Sequence, residues 1–461
     1  MTGSQLPRSN YTALPRSTSQ QSSQTSQSSH ASRAQHAAAD TPPRAAWYRR
    51  AIPWWAIAVT LLVLITAAVP VDAIRDAATL GSVGEARLDQ SASYLSVGPI
   101  SNVLDTLTLM TVGQHIAILL WAIGIFALWR VLRARRRATR VRREVVAALL
   151  FLTGVVLVYV VGALMPRPMA ELVASDGSVL AIDFHSHTEY SHDGRPGWTE
   201  DDVRNWHRGA GFDVAYITDH ATFEGAERGV AGNASQAGEG TILLQALEVF
   251  YRGEHVNILS AGRRYRGITT PNLKDVDEQA LQLAGILAAT SPVLIETVPA
   301  NLDKVPATTQ NAPGVNAIEI VDGAPRGLAQ TRKERAKILH IADSLNLALV
   351  VGSDNHGWGR AAPGWTLMRI PGWRGMSTDS LSRRIEDVLR AGRHDATRAV
   401  ERRVAGGANP LSLVFALPLV AWRMFTTLSA DERVMWLIWT WGLVLLVRGL
   451  RAYRIRPSAT T

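Results

Sequence analysis

Histidine and carboxylate residues gather in short motifs between residues 183 and 356 of this 461-residue chain. In AIDFHSHTEYSHDG, His185 and His187 stand two apart at the end of a predicted strand, so both side chains point the same way and can reach one metal ion. Asp354 and His356 repeat that spacing in VVGSDNH. Mixed imidazole and carboxylate ligands suit zinc, manganese or iron, whereas calcium and magnesium prefer oxygen alone. These residue types therefore predict a metal centre.

Further candidates stand at the ends of neighbouring predicted strands. His220 closes DVAYITDH, and His255 opens HVNIL. Glu248 lies within the otherwise apolar LLQALEVF, where an unpaired buried carboxylate would be costly, so a cation partner is the simplest explanation. Three more carboxylates are candidates either for binding metal or for orienting a ligand histidine, namely Asp183, Asp219 and Glu319.

Short apolar strands and amphipathic helices have to position these motifs. We predict strands at 179–185, 213–218, 242–250, 256–259, 292–297, 317–321, 348–352 and 366–370, and helices at 199–209, 273–289, 328–345 and 378–391. This alternation predicts an α/β fold with a largely parallel sheet, open or closed into a barrel. Sites in such folds collect at the C-terminal ends of the strands, where the candidate ligands stand.

The motifs DFHSHTEYSHDG, YITDH, EVFYRGEHVNIL and VVGSDNH resemble, in this order and spacing, those of the polymerase and histidinol phosphatase (PHP) family between Ile182 and Arg360. The resemblance implies a distorted (β/α)7 barrel, a cluster of two or three divalent metal ions and hydrolysis of phosphoesters. Within SHDG it implies Asp193 as the ligand, although an extra residue there leaves His192 as a competitor. The other ligands it implies are His185, His187, His220, Glu248, His255, Asp354 and His356.

One family motif differs in this chain. The family places a His-Pro pair after a strand in the middle of the barrel, but the matching stretch here, SPVLIETVPAN, has Pro299 and no histidine. Either Glu296 substitutes at an altered site, or that site is empty. The difference weakens the inference of three metals more than the inference of two.

The chemistry that such a cluster supports is phosphoester hydrolysis. Two metals about 3.5–4 Å apart can bridge a hydroxide and hold both the attacked and the leaving oxygen, so no protein nucleophile is required. Arg195 and Arg360, each next to a metal motif, are either phosphate-binding residues or solvated surface arginines. The sequence thus predicts a metal-dependent phosphoesterase that uses a metal-bridged hydroxide. The alternative, motivated by the missing histidine, is a catalytically inactive ligand-binding or sensor domain.

Composition and charge narrow the classes of protein. The chain has no cysteine, which excludes disulfides, thiolate zinc sites and a cysteine nucleophile. Its net charge of +9 invites a nucleic-acid partner, but 166–410 holds 26 basic against 30 acidic residues. The excess positive charge flanks apolar runs instead. We therefore expect a phosphorylated small molecule or another phosphoester as substrate, and no nucleic acid.

Apolar runs predict a membrane protein. The runs 52–71, 112–132 and 145–165 are each close to the roughly 20 residues that cross a bilayer, and the arginines of RVLRARRRATRVRRE separate the second from the third. Positive-inside logic places this loop in the cytoplasm and the residues after Met165 outside. Near the C-terminus, either 411–428 and 434–447 both span, or only the second does.

These observations divide the chain into four parts. Residues 1–45, rich in serine and glutamine, are predicted to be disordered. Residues 46–165 form three membrane helices with a basic loop at 130–144, 178–392 form the PHP-like phosphoesterase domain, and 408–456 form one or two membrane helices with a basic tail. The expected location is a bacterial cytoplasmic membrane, crossed several times, with the PHP-like domain outside and lipid as the surrounding partner.

Overall fold

The computed structural model describes residues 53–134, 141–220, 222–263, 285–298, 301–309, 312–392, 396–403 and 410–454. The predicted disordered tail 1–45, most of the predicted helix 273–289, Pro299 and the end of the basic tail lie outside the described residues.

The described chain is an α/β fold with helices on both sides of the candidate ligand motifs in sequence. Its strands are β1 (Ile74–Asp76), β2 (Ala86–Asp89), β3 (Glu171–Ala174), β4 (Val179–Ser186), β5 (Val214–Ile217), β6 (Ile242–Tyr251), β7 (Glu254–Leu259), β8 (Val293–Glu296), β9 (Ala317–Asp322), β10 (Ala348–Gly352), β11 (Gly364–Arg369) and β12 (Thr397–Arg402). Its α-helices are α1 (Trp54–Ala67), α2 (Ala92–Ser96), α3 (Gly98–Thr108), α4 (Val112–Ala134), α5 (Val141–Leu164), α6 (Glu200–Ala210), α7 (Glu224–Ala231), α8 (Pro325–Leu328), α9 (Arg332–Leu345), α10 (Thr378–Ala391), α11 (Pro410–Val414), α12 (Ala416–Thr426) and α13 (Ala430–Arg454).

Ten of these strands form one curled sheet in the order β1-β12-β11-β4-β5-β6-β7-β8-β9-β10, and β2 pairs with β3 separately. β10, the last strand in this order, returns toward β11 and β12 in the first half of the sheet. The backbone N–H of Val351 in β10 donates to Thr366 Oγ1 at 2.8 Å, and Thr397 Oγ1 donates to the carbonyl of Leu349 at 2.7 Å. The curl brings the C-terminal ends of β4, β5 and β10 to one side of the sheet.

The largely parallel sheet predicted from the sequence is wrong for the described residues. Five of the nine pairings in the ten-stranded sheet are antiparallel. The tight turn between β6 and β7 explains one of them: Arg252 and Gly253 adopt φ values of 53° and 95°, which is typical of a two-residue hairpin. The sheet also extends beyond 178–392, because β1 and β12 pair along its edge. The described residues therefore form a curled half-barrel sheet in an α/β fold, and the distorted (β/α)7 barrel stays a prediction.

The core fills both faces of the sheet. Leu180, Ile182 and Phe184 of β4 pack in one buried cluster, while Ala181 between them packs in another. Phe184 stacks on Tyr216 of β5 with ring centroids 5.3 Å apart. A strand that is buried on both faces has a continuous apolar sequence, so the polar residues at its end must be there for another reason.

Within the described ranges, three helices are long and apolar enough to cross a membrane: Val112–Arg133, Val141–Leu164 and Ala430–Arg451. The first predicted run contributes α1, whose 14 described residues are fewer than the roughly 20 that a bilayer needs. The predicted run 411–428 consists of two short helices, α11 and α12, so one long helix lies near the C-terminus. Arg130 and Glu144 bond at 2.6 Å and join α4 to α5 at their arginine-rich ends.

Candidate metal centre

The candidate ligands converge where four strands end. The carboxyl end of β4 carries His185 and His187, and the loop after β10 is bridged to it through Ser186 and Asn355. A second bridge joins His220, after β5, to Glu248 in β6. The close approach of β4, β9 and β10 requires a glycine at the end of β10, because a Cβ on Gly352 would lie 2.3 Å from Glu319 Oε1.

One group of side chains faces a common point. His185 Nε2 lies 3.1 Å from His187 Nε2 and 3.0 Å from Glu248 Oε2. Asp354 Oδ1 lies 3.3 Å from both histidine nitrogens. The four residues offer two nitrogens and two oxygens, and each oxygen lies within 3.3 Å of both nitrogens.

A second group adjoins the first and shares Glu248 with it. Asp193 Oδ2 lies 3.1 Å from His356 Nε2 and 3.4 Å from His220 Nε2. The same His220 nitrogen lies 3.4 Å from Glu248 Oε2. Glu248 is therefore placed to contact two ions at once.

The donor set fits divalent metals. Ligand atoms that bind one ion at about 2.1 Å lie about 3.0–3.4 Å from one another, which matches the separations in both groups. His185 and His187 approach nitrogen to nitrogen, an arrangement in which a shared ion explains the convergence better than a direct hydrogen bond does. Mixed nitrogen and oxygen ligation suits zinc, manganese or iron.

The charges of the cluster favour a cation. Burial opposes protonation of His185, yet Glu248, Glu319 and Asp354 raise its pKa well above its ordinary value. Despite the same effect of burial, hydrogen bonds to Asp354 and Glu248 raise the pKa of His187 to about 9. Burial opposes ionisation of Asp354, but His185 and His187 lower its pKa to about 2. Without metal, protons on the histidines balance the carboxylates, so metal binding competes with protons.

Two carboxylates hold His185 from behind. Its Nδ1 lies 3.2 Å from Glu319 Oε1 and 3.7 Å from Asp322 Oδ2, and both carboxylates are buried. Such contacts fix the ring so that Nε2 faces the metal. Asp322 is missing from the sequence prediction, although it shares the signal that singled out Glu248: a carboxylate in an otherwise apolar strand.

Two predicted candidates have other partners. Asp183 accepts from the backbone N–H of Ser353 at 2.8 Å and lies 2.7 Å from His207 Nε2. Asp219 accepts from the backbone N–H and the hydroxyl of Thr188, both at 2.6 Å. Their described contacts stabilise the loops that carry the cluster, and neither belongs to a group of potential ligands among the described residues.

Three candidates lie around the two groups. His255 reaches the cluster through Glu248 Oε1, 2.7 Å from its Nδ1. The side chain of His192 is 75% exposed, and its Nδ1 is 4.0 Å from Asp193 Oδ1, so Asp193 has the closer contacts to the cluster. Burial, with Glu254 and Glu319 nearby, raises the pKa of Glu296 to about 9. Glu296 joins none of the potential ligand groups formed by described residues.

The two candidate phosphate-binding arginines have side-chain contacts outside the two groups of potential ligands. The Arg195 guanidinium is 4.7 Å from the ring centroid of Trp198 and 5.9 Å from that of Trp358. Arg360 Nε donates to the carbonyl of Arg167 at 3.4 Å. Their described contacts are with aromatic rings and backbone, so a role in binding phosphate stays a prediction.

Asp354 has a backbone conformation that non-glycine residues seldom adopt, with φ of 47°. The surrounding loop holds it there: its N–H donates to the carbonyl of His185 at 2.8 Å. The Arg195 N–H donates to the carbonyl of His356 at 3.0 Å. Strained residues of this kind persist where surrounding contacts fix them, and they are frequent in functional sites.

Comparison with known proteins gives weak likenesses. No protein-family model matches the sequence, and no curated protein sequence matches it. Among solved structures, PsfC from Pseudomonas syringae PB-5123 is 15% identical, with 57% of this chain and 99% of that chain covered and a TM-score of 0.32. A two-domain protein from Bacteroides vulgatus ATCC 8482, described as containing a predicted PHP-like metal-dependent phosphoesterase, is 15% identical, with 52% and 70% covered and a TM-score of 0.31. The lesion-specific endonuclease PfuEndoQ from Pyrococcus furiosus is 12% identical, with 46% and 56% covered and a TM-score of 0.32. Overlaps at this level carry no argument about activity.

Proposed function

We propose that this protein is a membrane-anchored, metal-dependent phosphoesterase of the PHP type. The observation that carries the proposal is the convergence of His185 Nε2, His187 Nε2 and Glu248 Oε2 within 3.3 Å of one another. Asp354 completes this group, and Glu248 links it to a second one. A pair of adjacent cation sites with mixed ligands is typical of enzymes that hydrolyse phosphoesters.

The residues of the chain have distinct parts in this proposal. Glu319 and Asp322 orient His185, and His255 contacts the outer oxygen of Glu248. His187 is fully buried, whereas the side chain of Asp193 is 40% exposed, so the substrate approaches from the side of Asp193. Bound divalent ions would neutralise phosphoester charge and make water acidic enough to attack near neutral pH.

The membrane part of the proposal rests on length and charge. Three helices of the described residues are long enough to span a bilayer. Arg133 lies at the end of α4, Arg142 at the start of α5 and Arg448 near the end of α13. Positive-inside logic then places these ends in the cytoplasm of a bacterium and the metal centre on the outer side.

A phosphoester is the proposed substrate, and its further identity is open to the experiment. Absence of a nucleic-acid partner stays a prediction, and the similar structures include an Endonuclease Q complex with a 27-mer duplex substrate that has an abasic lesion. A test on duplex DNA carrying an abasic site therefore belongs beside the aryl phosphate assay.

A catalytically inactive ligand-binding or sensor domain is the second candidate function. It is favoured by Glu296, which lies in the stretch where the PHP family has the His-Pro pair that this chain lacks. The carboxyl oxygens of Glu296 have no hydrogen-bond partner among the described residues. It predicts one occupied metal site, or none, and no turnover of any phosphoester.

The experiment uses the full chain purified in detergent or lipid nanodiscs. We expect bound manganese, zinc or iron by elemental analysis and release of nitrophenol from an aryl phosphate. The double variant His185→Ala, His187→Ala should lose both, whereas His340→Ala in α9 serves as the matched control. Metal content and turnover unchanged in the double variant would exclude this site.

A further inference from the structure

A cavity of about 510 Å³ connects the metal centre to the helices proposed to cross the membrane. At one end it is lined by Asp193, Asp354 and His356 of the cluster. At the other end it is lined by the beginning of α4 and the last turns of α5, which contribute Val112, His115, Val158, Tyr159, Gly162 and Ala163. One continuous space thus has a polar end with potential metal ligands and a mainly apolar end.

Close packing fixes the two ends relative to each other. The loop that follows His356 is bonded to α5, since the Gly359 N–H donates to the carbonyl of Ala163 at 3.0 Å. A Cβ on Gly359 would lie 2.5 Å from Thr108 Cγ2 of α3, so only glycine permits this approach. Trp206 Nε1 donates to the carbonyl of the same glycine at 3.2 Å. The loop that follows His356 and the end of α5 are therefore packed together in the wall of the cavity.

With the end of α5 at the membrane surface, the cavity would reach the depth of the lipid headgroups. Tyr159 lies five residues before the end of α5, which corresponds to about 8 Å along the helix. The headgroup region on each side of a bilayer is roughly 5–8 Å deep. Val112 and Val158, at the same end of the cavity, are 55% and 44% exposed and would face lipid.

We propose that the substrate is a membrane lipid with a phosphoester headgroup, which binds at the metal centre while the hydrocarbon chain lies against Val112 and Val158. The proposal rests on the proposed phosphoesterase function and names the substrate class of that site. A small water-soluble phosphoester would leave the apolar end of the cavity wet, whereas a chain that enters from the bilayer fills it. The His115 and Tyr159 side chains, 2.9 Å apart, add a polar contact between the two ends.

The test compares butyl, octyl and dodecyl phosphate as ligands of the full chain in lipid nanodiscs. The first measurement is the shift of the unfolding midpoint on ligand binding. Unfolding is monitored by tryptophan fluorescence, so this measurement requires no turnover. The second is inhibition of aryl phosphate hydrolysis by the metal-loaded protein. Val158→Trp fills the apolar end of the cavity, and Val160→Trp, on the same helix with 46% exposure and outside the cavity lining, is the matched control.

Each buried methylene should tighten binding about threefold to fourfold, so dodecyl phosphate should bind at least tenfold more tightly than butyl phosphate even if the chain is partly buried. Val158→Trp should lose this dependence on chain length, and Val160→Trp should keep it. Equal binding of all three ligands, or the same behaviour in both variants, would overturn the proposal. Failure of the phosphoesterase function can be distinguished from failure of this proposal. The former would appear as no hydrolysis of aryl phosphate by the wild type, whereas the shifts of the unfolding midpoint still decide whether the alkyl chain is bound.

Discussion

Glu248→Gln is the substitution that tests the metal centre most directly. The variant keeps the size of the side chain and one carbonyl oxygen but removes the negative charge. In the structure, Glu248 Oε2 lies 3.0 Å, 3.3 Å and 3.4 Å from the nitrogens of His185, His187 and His220. A single change therefore affects both groups of potential ligands.

The expected magnitude follows from this position. Residues that only orient a ligand contribute about 10–100-fold to metal affinity, which is the loss we expect for Glu319→Gln behind His185. Glu248 supplies a ligand oxygen to two groups, so Glu248→Gln should weaken metal binding by more than about 100-fold, or about 2.7 kcal/mol. The two variants should thus fall in a defined order.

The assay is competition between the full chain and a chromophoric chelator for zinc or manganese at constant pH. Glu386→Gln is the control, because Glu386 is equally buried but bonds to Arg263 and Arg390, away from the cluster. It should leave metal affinity unchanged even if it lowers stability. Wild-type affinity in Glu248→Gln, or a larger loss in Glu319→Gln than in Glu248→Gln, would refute the assignment of ligands.

Three further predictions concern stability and topology. Burial raises the pKa of Asp213 to about 6, so its contribution to stability is full below about pH 4 and is lost as the pH rises through 6. Above pH 6, the free energy of unfolding of Asp213→Asn should therefore exceed that of the wild type by up to about 3 kcal/mol, whereas at pH 4 the two should differ little. Unfolding midpoints measured across this pH range check the prediction, and a difference that does not vary with pH would contradict it. Gly359→Ala should lower stability by about 1–3 kcal/mol, because φ there is 79° and the new Cβ meets Thr108; an unchanged midpoint would show that this loop does not pack against α3. Since the chain has no cysteine, Asp176→Cys introduces a single thiol that should react with a membrane-impermeant reagent in intact spheroplasts, whereas Arg142→Cys should not, and the reverse pattern would invert the proposed orientation.

Strands were predictable from the sequence because their signal is local. The runs ILLQALEVFY and ALVVG are short, apolar and bounded by turn residues, and they form β6 and β10. The direction of pairing was not predictable from the same signal, because a run of apolar residues reads alike in parallel and antiparallel sheets. β1 and β12 were missed since IRD is only three residues long and TRAVER has three charged residues among six, including the buried Glu401.

The ligands of the candidate site were predictable to the extent that spacing determines direction. Two residues apart on extended backbone, His185 and His187 had to face the same side, and the structure brings them together. From the sequence, Asp183 and Asp219 were candidates either for binding metal or for orienting a ligand histidine. Their carboxylates are bonded instead to Ser353 and Thr188, and which loop donates to a carboxylate is decided by tertiary structure rather than by its own motif.

The edge pair of β1 and β12 has a consequence for synthesis. Arg75 in β1 and Glu401 in β12 form an ion pair across 326 residues of chain. At about 5–20 residues per second, the ribosome adds the second partner roughly 15–65 s after the first. During that interval β1 has no strand beside it while α4 and α5 are made. Two of the three helices long enough to cross a membrane, α4 and α5, are therefore made before the sheet can be completed, and the third, α13, follows its last strand.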